Sequence, residues 1–165
     1  MPVQEGPIQR IVVGLDGSEH ASAALAWAVR MAKAMESEVI AVHAVQPVMY
    51  WDASYAPPIE FDQQWRTALA NQFEDEWCRP LREAGVRHRM VMQDGRAASV
   101  ISDVADEVDA DMIVVARRGR GGFAALLLGS VSHELTLHCQ RPVLVISPAR
   151  TGGRQQPAQA AEGSV

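Results

Sequence analysis

The 165-residue sequence holds a single lysine, Lys33; the other 14 of its 15 basic residues are arginine. A Walker-type phosphate loop needs lysine directly after glycine and ahead of serine or threonine. Lys33 stands in Met31-Ala-Lys33-Ala-Met35, away from any glycine, so that loop is excluded. Cysteine is almost as scarce. Cys78 and Cys139 make neither a disulfide framework nor a CxxC metal site and read as reduced packing thiols. Long apolar runs are missing too: the longest, Ala23 to Val29, has seven residues, against about 20 for a membrane span. The opening MPVQEGPIQR lacks a basic start followed by an apolar core, so no signal peptide is expected and the cytoplasm is the expected location. Basic charge is also short. A net charge of −5 argues against duplex nucleic acid as a partner, because neutralising phosphates needs a basic face. What remains is 48% hydrophobic and 21% charged, the balance of one ordinary globular domain.

The apolar residues fall into an alternating order. Arg10 to Leu15 is a β-branched run ending at Asp16-Gly17-Ser18, a strand followed by a turn. A helix is expected from Ser18 to Met35, a buried strand over Glu38 to Val45, and a loop over Gln46 to Pro58. A long helix over Ile59 to Ala84 follows, with Pro80 as its break. Val86 to Met92 alternates as an edge strand does. Arg96 to Val108 carries a helical stripe, and Met112 to Ala116 and Pro142 to Ile146 read as parallel strands separated by a helix over Ser130 to His138. Five strands alternating with helices predict an α/β, single-domain, doubly wound five-stranded parallel sheet with helices on both faces. The folded domain is expected over 8–148, with a flexible N-terminus over 1–7 and a disordered C-terminal tail over 149–165. In such a sheet, ligands bind beyond the carboxyl ends of the strands, where strand order reverses.

One stretch concentrates the chemistry. After the fourth strand the chain reads Ala116-Arg117-Arg118-Gly119-Arg120-Gly-Gly-Phe-Ala-Ala-Leu-Leu-Leu-Gly129-Ser130-Val131-Ser132. Glycines admit an anion close to backbone amides, and Gly129-Ser130 opens a helix whose unpaired amides and positive dipole end attract phosphate. Ser130 and Ser132 offer hydroxyl donors, and three arginines offer charge. Asp16 suits a turn and helix cap with Glu19 three residues on, a role compatible with ligand contact.

This spacing resembles the ATP-binding pattern of the universal stress protein family: G-x-x-G, nine residues, then G-[ST]. Here it reads Ala116-x-x-Gly119, nine residues, Gly129-Ser130. A first strand ending in Gly14-Leu-Asp16-Gly-Ser, a Val-His pair in the second strand and a closing Arg141-Pro-Val-Leu-Val-Ile146 strand extend the likeness over about residues 8 to 148. The resemblance implies an adenine nucleotide alpha hydrolase-like fold and an ATP site. Gly14 and Asp16 would be its first-loop contacts, with Asp16 near ribose or a phosphate-bound Mg2+, and Ala44 would lie beside the adenine. Gly119, Gly129, Ser130 and Ser132 would hold the phosphates, with Val131 in the same helix entry. Arg118 and Arg120 join on charge alone. Ala116 departs from the pattern's first glycine. If that position needs positive φ, alanine costs about 1–2 kcal/mol; if it needs closeness to the nucleotide, a methyl intrudes.

Other patterns lose on context. Gly119-x-Gly121-x-x-Ala124 fits a dinucleotide fingerprint but follows the fourth strand and lacks the acidic residue about 20 positions on, so NAD is not expected. His133-Glu-x-x-x-His138 puts its histidines on different helix faces, unable to share zinc as an i, i+4 pair does. His43 reads as a buried strand histidine, and Trp27, Trp51, Trp65 and Trp77 as packing or interface residues. The expectation is a homodimeric ATP-binding stress-response regulator, with cyclic AMP as another nucleotide candidate and pairing through Pro142 to Ser147. No positioned general base or lysine electrophile for efficient phosphoryl transfer is evident in the sequence, so at most slow ATP hydrolysis is expected. The alternatives are a nucleotide-hydrolysing or adenylyl-transferring enzyme of the same architecture, or a nucleotide-independent dimeric interaction protein.

Overall fold

The computed structural model describes residues 6–46, 59–119 and 128–147. The loop over 46–58 beyond Gln46, the tail, Trp51 and Arg120 lie outside the described residues. Five parallel strands, β1 (Arg10–Gly14), β2 (Glu38–Val45), β3 (His88–Asp94), β4 (Met112–Ala116) and β5 (Val143–Ile146), form one sheet in the order β3-β2-β1-β4-β5. Alternation divides each strand between two cores. Ile11 and Val13 of β1 face the side covered by α1 (Glu19–Met35), whereas Val12 faces α4 (Ala97–Glu107) and α5 (Ser130–His138). All three are fully buried, as expected of a central parallel strand covered on both faces. The chain winds outward from β1 to β3, then returns to lay β4 on the other side of β1. The order therefore reverses between β1 and β4.

The α1 face against the sheet is mostly alanine: Ala21, Ala24, Leu25, Ala28 and Ala32 are buried at helical spacing, which lets the helix approach closely. Its cap differs from the expected one. Ser18 is the N-cap, its Oγ accepting from the Ala21 amide at 3.1 Å, while Asp16 Oδ1 accepts from the Ser18 amide at 3.0 Å. Gly17 between them has φ 74, a conformation that side chains resist.

The predicted helix over 59–84 is three pieces. α2 (Ile59–Gln72) runs into a π-helical turn over Phe73–Trp77, closed by the Cys78 amide donating to the Phe73 carbonyl at 3.0 Å, and α3 (Arg79–Glu83) follows. Pro80 sits at the start of α3, where a missing N–H is harmless, and so begins a helix rather than breaking one. The break comes earlier because Phe73, Cys78 and Leu81 all turn into the α1-side core. β3 lies two residues later than predicted and is a sheet edge, with exposed Arg89, Met90, Gln93 and Asp94. At the other edge, Arg141 ties the entry of β5 to the chain ahead of β4 by donating to Asp106, Asp109 and the Ala110 carbonyl at 2.8–3.0 Å. Among the described residues no helix is long and apolar enough to cross a membrane.

Candidate functional site

A cleft of about 640 Å³ opens beyond the carboxyl ends of β1, β2 and β4, where the strand order reverses. Gly14, Asp16 and Ala44 line one part of it; Ala116, Arg118 and Gly119 line a second; Gly129, Ser130, Val131 and Ser132 line a third. Ten of the eleven residues singled out from the sequence thus border one space.

The floor is apolar. Gly14 leaves room there, since a Cβ on it would stand 2.6 Å from Ile101 Cδ1 and 3.2 Å from Val115 Cγ1. Val42, Ala44, Ala97 and Ile101 continue this apolar part, a surface suited to a flat base. The opposite part is polar. Gly129, the N-cap of α5, provides no side-chain cap, so the amides of Ser130, Val131 and Ser132 have no helical acceptor. The Nε atoms of Arg117 and Arg118 are buried without a hydrogen-bond partner among the described residues, and both arginines line the cleft. A buried orphan donor costs about 1–3 kcal/mol, which an anion would relieve. Asp16 reaches across to Gly119, where a Cβ would collide with its Oδ2.

Three residues act differently from their sequence-based roles. Ser132 is almost wholly buried, and its hydroxyl donates toward the Arg117 and Gly129 carbonyls at 2.9 and 3.0 Å. Carbonyls only accept, so its proton is committed there. Together with the Gly129 amide, which donates to the same Arg117 carbonyl at 2.8 Å, Ser132 closes the base of the loop between β4 and α5. Ser130 remains as the exposed hydroxyl.

Ala116 ends β4 in register with Ile146, and its φ is not positive, so no left-handed strain arises. Its methyl packs against the α1-side core. Gly119 and Gly129 likewise avoid positive φ; clearance is what they provide.

His43 is half-buried rather than buried. Its Nδ1 lies 2.8 Å from the Leu15 carbonyl, and its ring meets Trp77 and Phe73 at centroid distances of 5.0 and 5.9 Å. Sequence reasoning missed His43, Ala97 and Ile101 as part of the cleft wall, and counted Arg117 there for its charge. Only Ile101 carried a signal, its place on the inward stripe of α4. Among the described residues no group of three or more His, Cys, Asp or Glu could hold a metal ion.

The model of the universal stress protein family matches residues 7–147. A universal stress protein of Synechocystis is 32% identical over 149 residues, covering 83% of this chain and 96% of that protein. Among solved structures, a universal stress protein from Lactobacillus plantarum superimposes with a TM-score of 0.75 at 20% identity, over 87% of this chain and all of that one. A universal stress protein solved in complex with cAMP gives a TM-score of 0.62 at 25% identity, over 86% of this chain and 98% of that one.

Proposed function

Since this chain belongs to the universal stress protein family, we propose that its cleft binds an adenine nucleotide, with ATP the best fit, and that the protein acts as a nucleotide-dependent stress regulator in the cytoplasm. The observation that carries this reading is the pairing of an apolar floor at Gly14, Ala44 and Ile101 with a polar end formed by two arginines and the uncapped start of α5. A base fits the first and phosphates the second. The relative solved with cAMP supports adenine as the base.

In this reading the amides of Ser130 and Val131, the Ser130 hydroxyl and Arg118 hold phosphate oxygens, and Arg120 adds charge from the same loop. Asp16 faces the ribose or a Mg2+ carried in by the phosphates. Binding is the activity in this reading, with hydrolysis at most slow: the described residues lining the cleft include no lysine, and its carboxylate, Asp16, is assigned to the ribose or Mg2+ rather than to an attacking water. The β5 edge, where Val143, Leu144 and Val145 are only half-buried, carries the proposed two-fold pairing.

Native mass spectrometry in ATP, cyclic AMP and ATP with magnesium tests the reading. One nucleotide per chain on a dimer is expected, and a bare protein at millimolar nucleotide would overturn it.

A further inference from the structure

The sequence-based role of His43 as a plain core residue leaves its hydrogen bond unexplained. Strand alternation sends Ala44 toward the α4 side and His43 toward the α1 side, where Phe73 and Trp77 of the π-helical turn meet its ring at tilted and near-perpendicular angles. Phe73 and Trp77 also pack on one another, with centroids 5.7 Å apart. An ordinary helical turn would not end in the i to i+5 bond that closes this one, and such turns are rare and recur at functional sites. Held between these rings, His43 presents Nδ1 to the Leu15 carbonyl. That oxygen can only accept, so the proton sits on Nδ1.

Leu15 is the residue just ahead of Asp16. Its amide already donates to the Val42 carbonyl at 2.8 Å, so His43 secures the second of its two backbone groups. The turn beyond is equally specified, through Asp16 Oδ1 to the Ser18 amide and Ser18 Oγ to the Ala21 amide. A continuous chain of contacts therefore runs from the Phe73/Trp77 pair through His43 and Leu15 to the Asp16 carboxylate that abuts Gly119 in the cleft.

We propose that His43 is a positioning residue for the nucleotide site: by fixing the Leu15 carbonyl it sets the placement of Asp16. The inference rests on the nucleotide-binding reading above. It also makes the π-helical turn a functional element, since that turn is what buttresses the imidazole.

The test compares His43→Leu, which removes the donor, with His43→Asn, whose side-chain amide nitrogen can take the place of Nδ1. Two readouts are needed. Amide hydrogen exchange at Asp16 and Ser18 in nucleotide-free protein reports the clamp whether or not a nucleotide binds, and calorimetric ATP affinity reports its use. His43→Leu should speed exchange at both amides and weaken ATP about fivefold to tenfold, the scale of one lost hydrogen bond. His43→Asn should restore both. Placed on Asp16→Ala, His43→Leu should cost no further affinity, because the two residues act in series. Unchanged exchange in His43→Leu, no rescue by His43→Asn, or an undiminished cost on the Asp16→Ala background would each overturn the proposal. Failure of the wild-type protein to bind ATP would overturn the nucleotide reading, while the exchange data would still decide whether His43 orders the turn.

Discussion

Asp16 and Gly119 approach so closely across the cleft that the glycine has no room for a side chain: a Cβ there would fall on Asp16 Oδ2. The two follow different strands, β1 and β4, and both line the cleft. Because Gly119 is exposed and its φ is ordinary, Gly119→Ala should leave the fold intact. The new methyl displaces the carboxylate instead. Nucleotide affinity should fall about tenfold, about 1.4 kcal/mol, with the urea midpoint nearly unchanged. Unaltered affinity by calorimetry would show that the placement of Asp16 does not matter to the ligand.

At the floor of the cleft the balance reverses. Gly14→Ala pushes a methyl to within 2.6 Å of Ile101 Cδ1 between two rigid elements. Overpacking of this kind costs about 1–3 kcal/mol. Denaturant unfolding should show that loss, and Ile101→Val, which removes the offending Cδ1, should recover part of it in the double variant. An unaffected midpoint in Gly14→Ala would mean that α4 shifts freely away from β1.

The two serines at the α5 entry should separate cleanly. Ser132→Ala deletes a buried hydroxyl that satisfies backbone carbonyls, so stability should drop by about 1–2 kcal/mol. Ser130→Ala should leave the unfolding curve in place and weaken ATP several-fold. The opposite pattern would return Ser132 to the role of phosphate donor.

Burial pushes the Cys78 thiol up to about 11, with Arg82 opposing and Glu74 reinforcing. The folded value lies above the unfolded one, so the neutral thiol's contribution is whole below pH 9.0 and is lost as pH rises through about 11. Wild-type protein should lose more stability between pH 8.5 and 10.5 than Cys78→Ala does (about 9 to 11 being the titrating window). Parallel losses in urea titrations would contradict this.

Much of the architecture was legible because β-branched runs such as Ile11–Val13 and Ile113–Val115 have few alternatives to a doubly covered strand, and because glycine and serine spacing survives as a one-dimensional trace of a three-dimensional loop. Conformation within that trace was not legible. Spacing left open whether the position of Ala116 needs positive φ or closeness to a ligand, whereas Ala116 sits in an ordinary strand and Gly119 and Gly129 provide clearance. The direction in which the Ser132 hydroxyl donates depends on a carbonyl fifteen residues away. The π-helical turn arises from tertiary packing of Phe73, Cys78 and Leu81, and local propensity carries no sign of it. His43 was misread for the same reason: its partner, Leu15, belongs to another strand's end.

The central claim is that the start of α5, with Arg117 and Arg118, holds phosphates rather than merely closing a loop. Calorimetric titration of the protein with ATP and, separately, with adenosine tests it most directly. ATP should bind at one site per chain at least about tenfold more tightly than adenosine, with the advantage shrinking as salt rises, as charge-assisted contacts require. Equal affinities for the two, or no binding of ATP at millimolar concentration, would contradict it.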